Sequence, residues 1–380
     1  MKIDFLGKTI FFGFLAYWVL LTNGLSAQPI SALLKAKQEA EAKGYIFETS
    51  HAEIVAKARK EGRIKGLTGL EPDVFPYMIK SFQEKYPFIR VELQEISGPD
   101  AAQRFTMELK AGTVREWDTT GASTDFYDEY PPFAKKFDIL GMAEQGVLKI
   151  SPKLVDPKHR NIVSLTTGIS APVYNKNLIS ADNVPDRWED FLKPEFKGRK
   201  FLVDIRPHIF AAFPACPEVG MGLEWAMRLA QGLRDQDPIW IRGNTRAISA
   251  ITAGEYPLHF GVHYQSATRA MRKDRTGALQ LKIIEPVPVR MGNLDLVLHS
   301  APNPYAALLL LEHYASPMGQ EIIDKHYPAI ASVHTPGSHL SKLLQGKKLC
   351  VNGFDKFHNS DGWMAKAVEA MGFPKADRSR

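Results

Sequence analysis

Cysteine is scarce: two residues in 380, too few for a disulfide-dense scaffold. Long apolar runs are also missing. Beyond the first 27 residues no stretch reaches 18 apolar positions, and Ala306–Leu311 is far too short to cross a bilayer. There is no internal repeat and no low-complexity linker, which excludes collagenous and repeat-fibrous architectures. Signatures of hydrolysis and nucleotide chemistry are lacking too: no G-x-S-x-G, H-E-x-x-H, Walker loop or C-x-x-C. Gly220-Met221-Gly222 is a lone G-x-G without the third glycine of a dinucleotide site. The net charge of +6 is dispersed, and no basic run resembles a nucleic-acid arm. What remains is globular. With 44% hydrophobic and 24% charged residues, the chain has material for about two domains of roughly 100–200 residues each.

The N-terminus is the one segment of unusual character. Lys2 and Lys8 precede an apolar run from Ile10 to Leu21, and small and polar residues continue to Ala27. A basic region, a short apolar region and small residues before a cut site make a secretory signal peptide. Twelve apolar residues fall short of the about 20 that a membrane span needs. Residues 1–27 are therefore expected to be removed on export, leaving a soluble chain in the periplasm or outside the cell. In that oxidising setting Cys216 and Cys350 could pair, or could be two separate small apolar side chains; their spacing of 134 positions leaves both open.

Further along, hydrophobic periodicity alternates between helix and strand. His51–Lys60 reads as a helix stopped by Gly62, and Ile64–Leu70 as a strand with its loop. Val74, Met78, Ile79 and Phe82 recur at helical spacing; Ile89, Val91 and Leu93 alternate as in a half-buried strand. Asp100 with Gln103 has capping-box spacing after the turn at Ser97-Gly98-Pro99. Strand, polar turn, then helix start is the βα unit of a parallel sheet. Short strands at 201–203 and 258–262 and helices at 245–252, 304–314 and 362–371 continue the pattern. The middle of the chain reads as an insertion between two parts of one α/β lobe, with the Pro286-Val287-Pro288 strand as a crossing back.

Several stretches then resemble the solute-binding proteins of ABC importers, in the branch of ferric-ion-binding and similar small-solute receptors. They are Ala58-Arg59-Lys60-Glu61-Gly62 with Lys85-Tyr86-Pro87; Tyr174-Asn175-Lys176-Asn177-Leu178 with Trp188 and Pro194-Glu195-Phe196-Lys197-Gly198; Gly254-Glu255-Tyr256-Pro257 with Tyr264; and Ala301-Pro302-Asn303-Pro304 with Ser316-Pro317-Met318-Gly319. Together they span nearly the whole chain after the signal peptide. The resemblance implies an α/β clamshell of two lobes, each a mostly parallel sheet flanked by helices, joined by two crossover segments. The expected boundaries are 28–167 with 288–380 for the first lobe and 168–287 for the second. It also implies a monomeric receptor that captures a small solute between the lobes and presents it to a membrane permease, without catalysis and without a cofactor.

Candidate ligand contacts come from the loops at strand ends, where such folds bind solutes. Thr68 and Gly69, Ser97 and Gly98, and Ser123 and Thr124 form three small, hydroxyl-bearing loops in the first lobe. From the second lobe, Arg206 offers a planar fork for carboxylate or phosphate, and His208 a further donor. Tyr264 stands where the resemblance places one of two adjacent tyrosines that coordinate Fe(III) in iron-binding members. Here the neighbours are His263 and Gln265. With the second tyrosine absent, the expected solute is a small organic or phosphorylated anion, with Tyr264 closing over it. An Fe(III) receptor using Tyr264 and His263 is the alternative, and an exported hydrolase a distant third.

Overall fold

The computed structural model describes residues 27–373, apart from 97, 98, 123 and 206. The expected signal peptide therefore lies outside the described residues, save its last position, as do the candidates Ser97, Gly98, Ser123 and Arg206. Two sheets organise the chain. The first has the order β2-β1-β3-β11-β4, from β1 (Arg63–Thr68), β2 (Arg90–Glu95), β3 (Thr119–Ala122), β4 (Ile162–Ser164) and β11 (Leu294–Val297). The second runs β12-β10-β5-β8-β6-β7. Its strands are β5 (Thr167–Asn175), β6 (Leu202–Asp204), β7 (Ile239–Ile241), β8 (Leu258–His263), β10 (Val287–Met291) and β12 (Leu349–Asn352), with β9 (Leu279–Leu281) alongside β5.

Local chemistry starts the first lobe as the periodicity predicts. Ser50 caps the helix His51–Glu61 by accepting from the Ala52 N–H, and Gly62 ends it at φ 67°. The chain then enters β1, which pairs in parallel with β2 along its full length, Arg63 opposite Arg90 through Thr68 opposite Glu95. β3 joins the other side of β1, also in parallel. The core of this lobe gathers Phe47, Met78, Phe82, Phe137 and the leucines of the helix Pro304–Ala315, all fully buried. In the second lobe Trp188, Phe191, Phe213 and Phe260 pack edge to face, and Phe201 packs tilted against Phe191. Such aromatic pairs add to the stabilisation from burial itself.

The architecture is the two-lobe α/β clamshell, and both sheets are mixed. The parallel ladders lie where strand and helix alternate. The strands that carry the chain between lobes run antiparallel to their neighbours: β11 against β3 and β4, and β5 against β10 and β8. The crossings fall at 165–166 and 292–293. The C-terminus differs from the expected boundary, because β12 and the last helix, Ser360–Ala370, join the second lobe, while Phe354 between them packs in the core of the first. In the second lobe β12 pairs in parallel with β10, and Ala367 and Met371 join the core with Ala226, Leu229 and Leu233. Cys216 and Cys350 are bonded, with Cα atoms 5.4 Å apart. Closing a loop that long removes unfolded-chain entropy worth about 5 kcal/mol in the chain-entropy account. The chain thus passes between lobes a third time, at 344–349.

One buried group sets a pH dependence. Asp295 lies in the middle of β11, opposite Gly121 and Val163, and burial pushes its carboxyl up to about 7. The folded state then holds a proton that the unfolded chain releases at ordinary carboxylate pH. Stability from this group is fully present below about pH 4 and is lost as pH rises through 7, by on the order of 4 kcal/mol. Burial pushes the core histidines His259 and His313 down, to about 3 and about 4, and they act in the opposite sense. The difference between wild type and Asp295→Asn isolates the carboxylate. Urea denaturation at pH 5 and pH 8 should show the variant gaining relative to wild type as pH rises; an equal difference at both pH values would refute the assignment.

Candidate functional site

Between the lobes lies a cavity of about 690 Å³. Its first-lobe wall comes from strand ends: Gly69 after β1, Glu95 and Ile96 at the end of β2, Gly121 and Ala122 in β3, then Thr124, Tyr127 and Asp128. The floor is the crossing from β10 to β11, with Arg290, Met291, Gly292 and Asn293. Backbone approach is tight here. A Cβ on Gly69 would collide with the Asn293 side chain, and one on Gly292 with the Thr166 hydroxyl. At Gly292 the Thr166 backbone also stands within 2.8 Å, so only glycine fits there, whereas at Gly69 the Asn293 side chain would have to turn away.

The second-lobe wall is polar and rich in arginine. Asp204 ends β6 and accepts from the Gly243 N–H at 3.0 Å. That bond holds the turn Arg242-Gly243 at the start of the helix Asn244–Thr252, which no side chain caps. Residues 242–246 all line the cavity. The first N–H groups of a helix have no partner within it and carry partial positive charge, which suits an anion. Arg242 and Arg246 make no hydrogen bond or ion pair among the described residues. A second helix, Tyr264–Lys273, presents Gln265, Ser266 and Arg269 to the same space.

The expected contacts divide. Gly69, Thr124 and His208 line the cavity, and so does His263, whose ring centroid is 5.2 Å from that of His208. Thr68 is buried and its hydroxyl accepts from the Leu70 N–H at 3.3 Å, the ordinary work of a turn hydroxyl. Tyr264 is turned toward the first lobe instead of the cavity. Its hydroxyl meets His339 Nε2 at 3.1 Å, and burial pushes the phenol up. His263 is held neutral, well below its usual range, by burial and by the charge of Arg290; its Nδ1 faces the Arg290 guanidinium at 3.5 Å. Since guanidinium only donates, the imidazole proton belongs on Nε2. Among the described residues no group of three or more His, Cys, Asp or Glu is placed to hold a metal ion.

Several lining residues were not anticipated. Arg242 and Arg246 carried only the weak signal of a glycine and asparagine before a helix. Arg290 sits inside a strand, and Asn352, Phe357, His358, Ser360, Asp361 and Met364 come from the far C-terminus. The lobes also touch on both flanks. Glu71 of the first lobe accepts from Arg269 at 2.5 Å and lies 3.5 Å from Arg272, both of the second lobe, and Arg269 also reaches the Tyr327 hydroxyl at 3.3 Å. On the other flank Asp156 is bonded by the Tyr127 hydroxyl and faces His358 at 3.4 Å.

A cavity between two hinged α/β lobes, lined by strand ends and helix N-termini, defines a binding protein that encloses its ligand. The chain belongs to the bacterial extracellular solute-binding protein family, which matches residues 131–360. Solved structures agree on the fold. Iron-bound HitA from Pseudomonas aeruginosa is 17% identical, with 81% of this chain and 99% of that one covered at a TM-score of 0.55. IdiA (FutA) of Trichodesmium, in complex with iron and citrate, is 18% identical over 82% and 100%, at 0.59. The substrate-binding protein of an ABC transporter from Agrobacterium tumefaciens is 16% identical over 83% and 96%, at 0.56. No curated protein matches the chain. The family consists of extracellular binding proteins, so the protein is a solute-binding protein that acts outside the cytoplasm.

The Glu71 cluster yields a test of lobe movement. A partly buried ion pair across the mouth favours the closed arrangement by about 1 kcal/mol, roughly a fivefold change in the closed-to-open ratio. Small-angle scattering of ligand-free Glu71→Gln should show a larger radius of gyration than wild type, and 1 M NaCl should move wild type in the same direction. An unchanged radius in both would show that the cluster does not hold the lobes.

Proposed function

We propose that the protein is the substrate-binding component of an ABC importer and captures a small organic or phosphorylated anion between its lobes. The observation that carries this reading is the pair Arg242 and Arg246, without ion-pair partners among the described residues, flanking an uncapped helix N-terminus inside the cavity. Arginine forks and free N–H groups together match the planar or tetrahedral oxygens of carboxylate and phosphate. Gly69, Thr124 and His208 are further donors or close backbone approaches around the same space. Ser97, Gly98, Ser123 and Arg206 remain part of the proposal from their positions in sequence. The volume suits a small organic molecule better than a bare ion.

Closure needs only the geometry, without chemistry. A solute held by the arginines of the second lobe and the strand ends of the first contacts the closed state more than the open one, and so shifts the population toward it. The permease then meets the closed form. Iron is named for HitA and FutA, and it would need a deprotonated Tyr264. Here that phenol is raised by burial and bonded to His339, which favours the anion reading.

Titration calorimetry with citrate, succinate, inorganic phosphate and glucose 6-phosphate tests the assignment. At least one should bind, and Arg246→Ala should weaken it tenfold or more, as expected for a charge-assisted contact. Unchanged affinity in Arg246→Ala, or binding of none of the anions alongside iron-dependent colour lost in Tyr264→Phe, would overturn it.

A further inference from the structure

The arginine wall occupies only part of the cavity. Opposite it, Ile96, Ala102, Ala122 and the ring of Tyr127 come from the first lobe, and Phe357 and Met364 from the C-terminal segment. The Tyr127 hydroxyl is already engaged by Asp156, so its ring is what this end of the cavity meets. The Phe357 ring stands edge-on to it, with centroids 5.1 Å apart. We propose that Phe357 and Met364, with Ile96, Ala102, Ala122 and the Tyr127 ring, form an apolar subsite beside the anion-binding wall, bordered by the polar Asn352, His358, Ser360 and Asp361, and that the solute is an anion carrying an aryl or alkyl group. This rests on the anion reading above and narrows it.

The segment is built to hold such a wall in place. The Cys216–Cys350 bond fixes its start, and Asn352 Nδ2 donates to the Ala211 carbonyl at 3.0 Å and to the Ser360 hydroxyl at 2.7 Å. Lys356 Nζ donates to the Ala215 carbonyl at 2.7 Å. These bonds tie it to the second lobe, while Phe354 and Phe357 pack against the core of the first. Across the gap, His358 and Phe357 meet Asp156 and Tyr127 of the first lobe. Phe357 and Tyr127 already meet across the gap and form one apolar edge of the cavity, and a hydrocarbon group laid against that edge and Met364 loses water from the face it buries. An inorganic anion would leave this end of a 690 Å³ cavity unfilled.

Two matched probe pairs test this by calorimetry on the purified protein: inorganic phosphate against phenyl phosphate, and acetate against phenylacetate. In wild type the aryl member of at least one pair should bind ten times or more tightly than its bare anion. A single well-placed methylene already gives a discrimination of this order. In Phe357→Ala/Met364→Ala the ratio should fall toward one. Met364→Gln keeps the side-chain length and adds polarity, so it should lower the ratio even if the double variant fails to fold. A ratio near one in wild type, or one that Met364→Gln leaves intact, overturns the subsite while the anion reading stands. Binding of no probe and of no anion in the earlier panel overturns both.

Discussion

The two strands that join the lobes meet at a single point, and the rest of the molecule is arranged around it. At the first crossing the Thr166 carbonyl accepts from the Gly292 N–H at 2.8 Å, and the Thr166 hydroxyl from the Asn293 N–H at 3.0 Å. Both bonds tie one crossing to the other. With Gly292 this close to Thr166, no side chain fits between them, so the two crossings behave as one two-stranded hinge. β4 and β11 continue it into one sheet, β5 and β10 into the other. The cavity floor is this hinge. Any solute that rests on Asn293 or Arg290 therefore sits at the axis about which the lobes turn.

That placement explains how charge is distributed. Arg290 is anchored at the axis and donates to the Met291 carbonyl at 3.2 Å, so it stays put in either arrangement of the lobes. Arg242 and Arg246 are carried by the second lobe, and their distance to the first-lobe wall changes with closure. Arg269 has a different use, since its guanidinium is spent on Glu71 and Tyr327. Carboxylates also line the space: Glu95, Asp128, Asp204 and Asp361. The cavity is therefore no uniform cationic funnel; at Asp204, the carboxylate positions a turn by accepting from Gly243. Selectivity in such a site comes from where the unpaired donors point more than from net charge.

Much of this fold is legible in sequence because local signals and tertiary packing agree. The stop at Gly62, the alternation Ile89-Val91-Leu93 and the helix near 245–252 each reflect a short-range constraint, and each is present at those positions. The site is harder to read. Thr68 and Arg242 both stand at strand ends, in loops of similar composition. Which one faces the cavity depends on a turn held by Asp204, 38 residues before Arg242 in the chain. Tyr264 and Gln265 are adjacent, yet one docks against His339 and the other faces the cavity, because successive residues on a helix point about 100° apart. No periodicity carries that choice.

The C-terminal passage shows the same limit at larger scale. The helices between 304 and 343 pack on the first lobe, so continuity alone assigns the remaining C-terminal residues to that lobe as well. The reversal depends on contacts made at long range: the β12 ladder on β10, the bond from Cys350 to Cys216, and Met371 in the aromatic core of the second lobe. Each involves residues at least 60 positions apart. Long-range pairings of this kind give a sheet its final strand and a cavity its last wall, and they are made after the local elements exist. The consequence is mechanical. A chain that crossed twice would leave the C-terminus on the first lobe, whereas a third crossing gives the second lobe a wall that reaches over the solute and back to Tyr127 and Asp156. The lobes are then joined by three passages of the chain, two at the hinge and one at 344–349, and they meet again at the cavity's edge through Tyr127, Asp156 and His358.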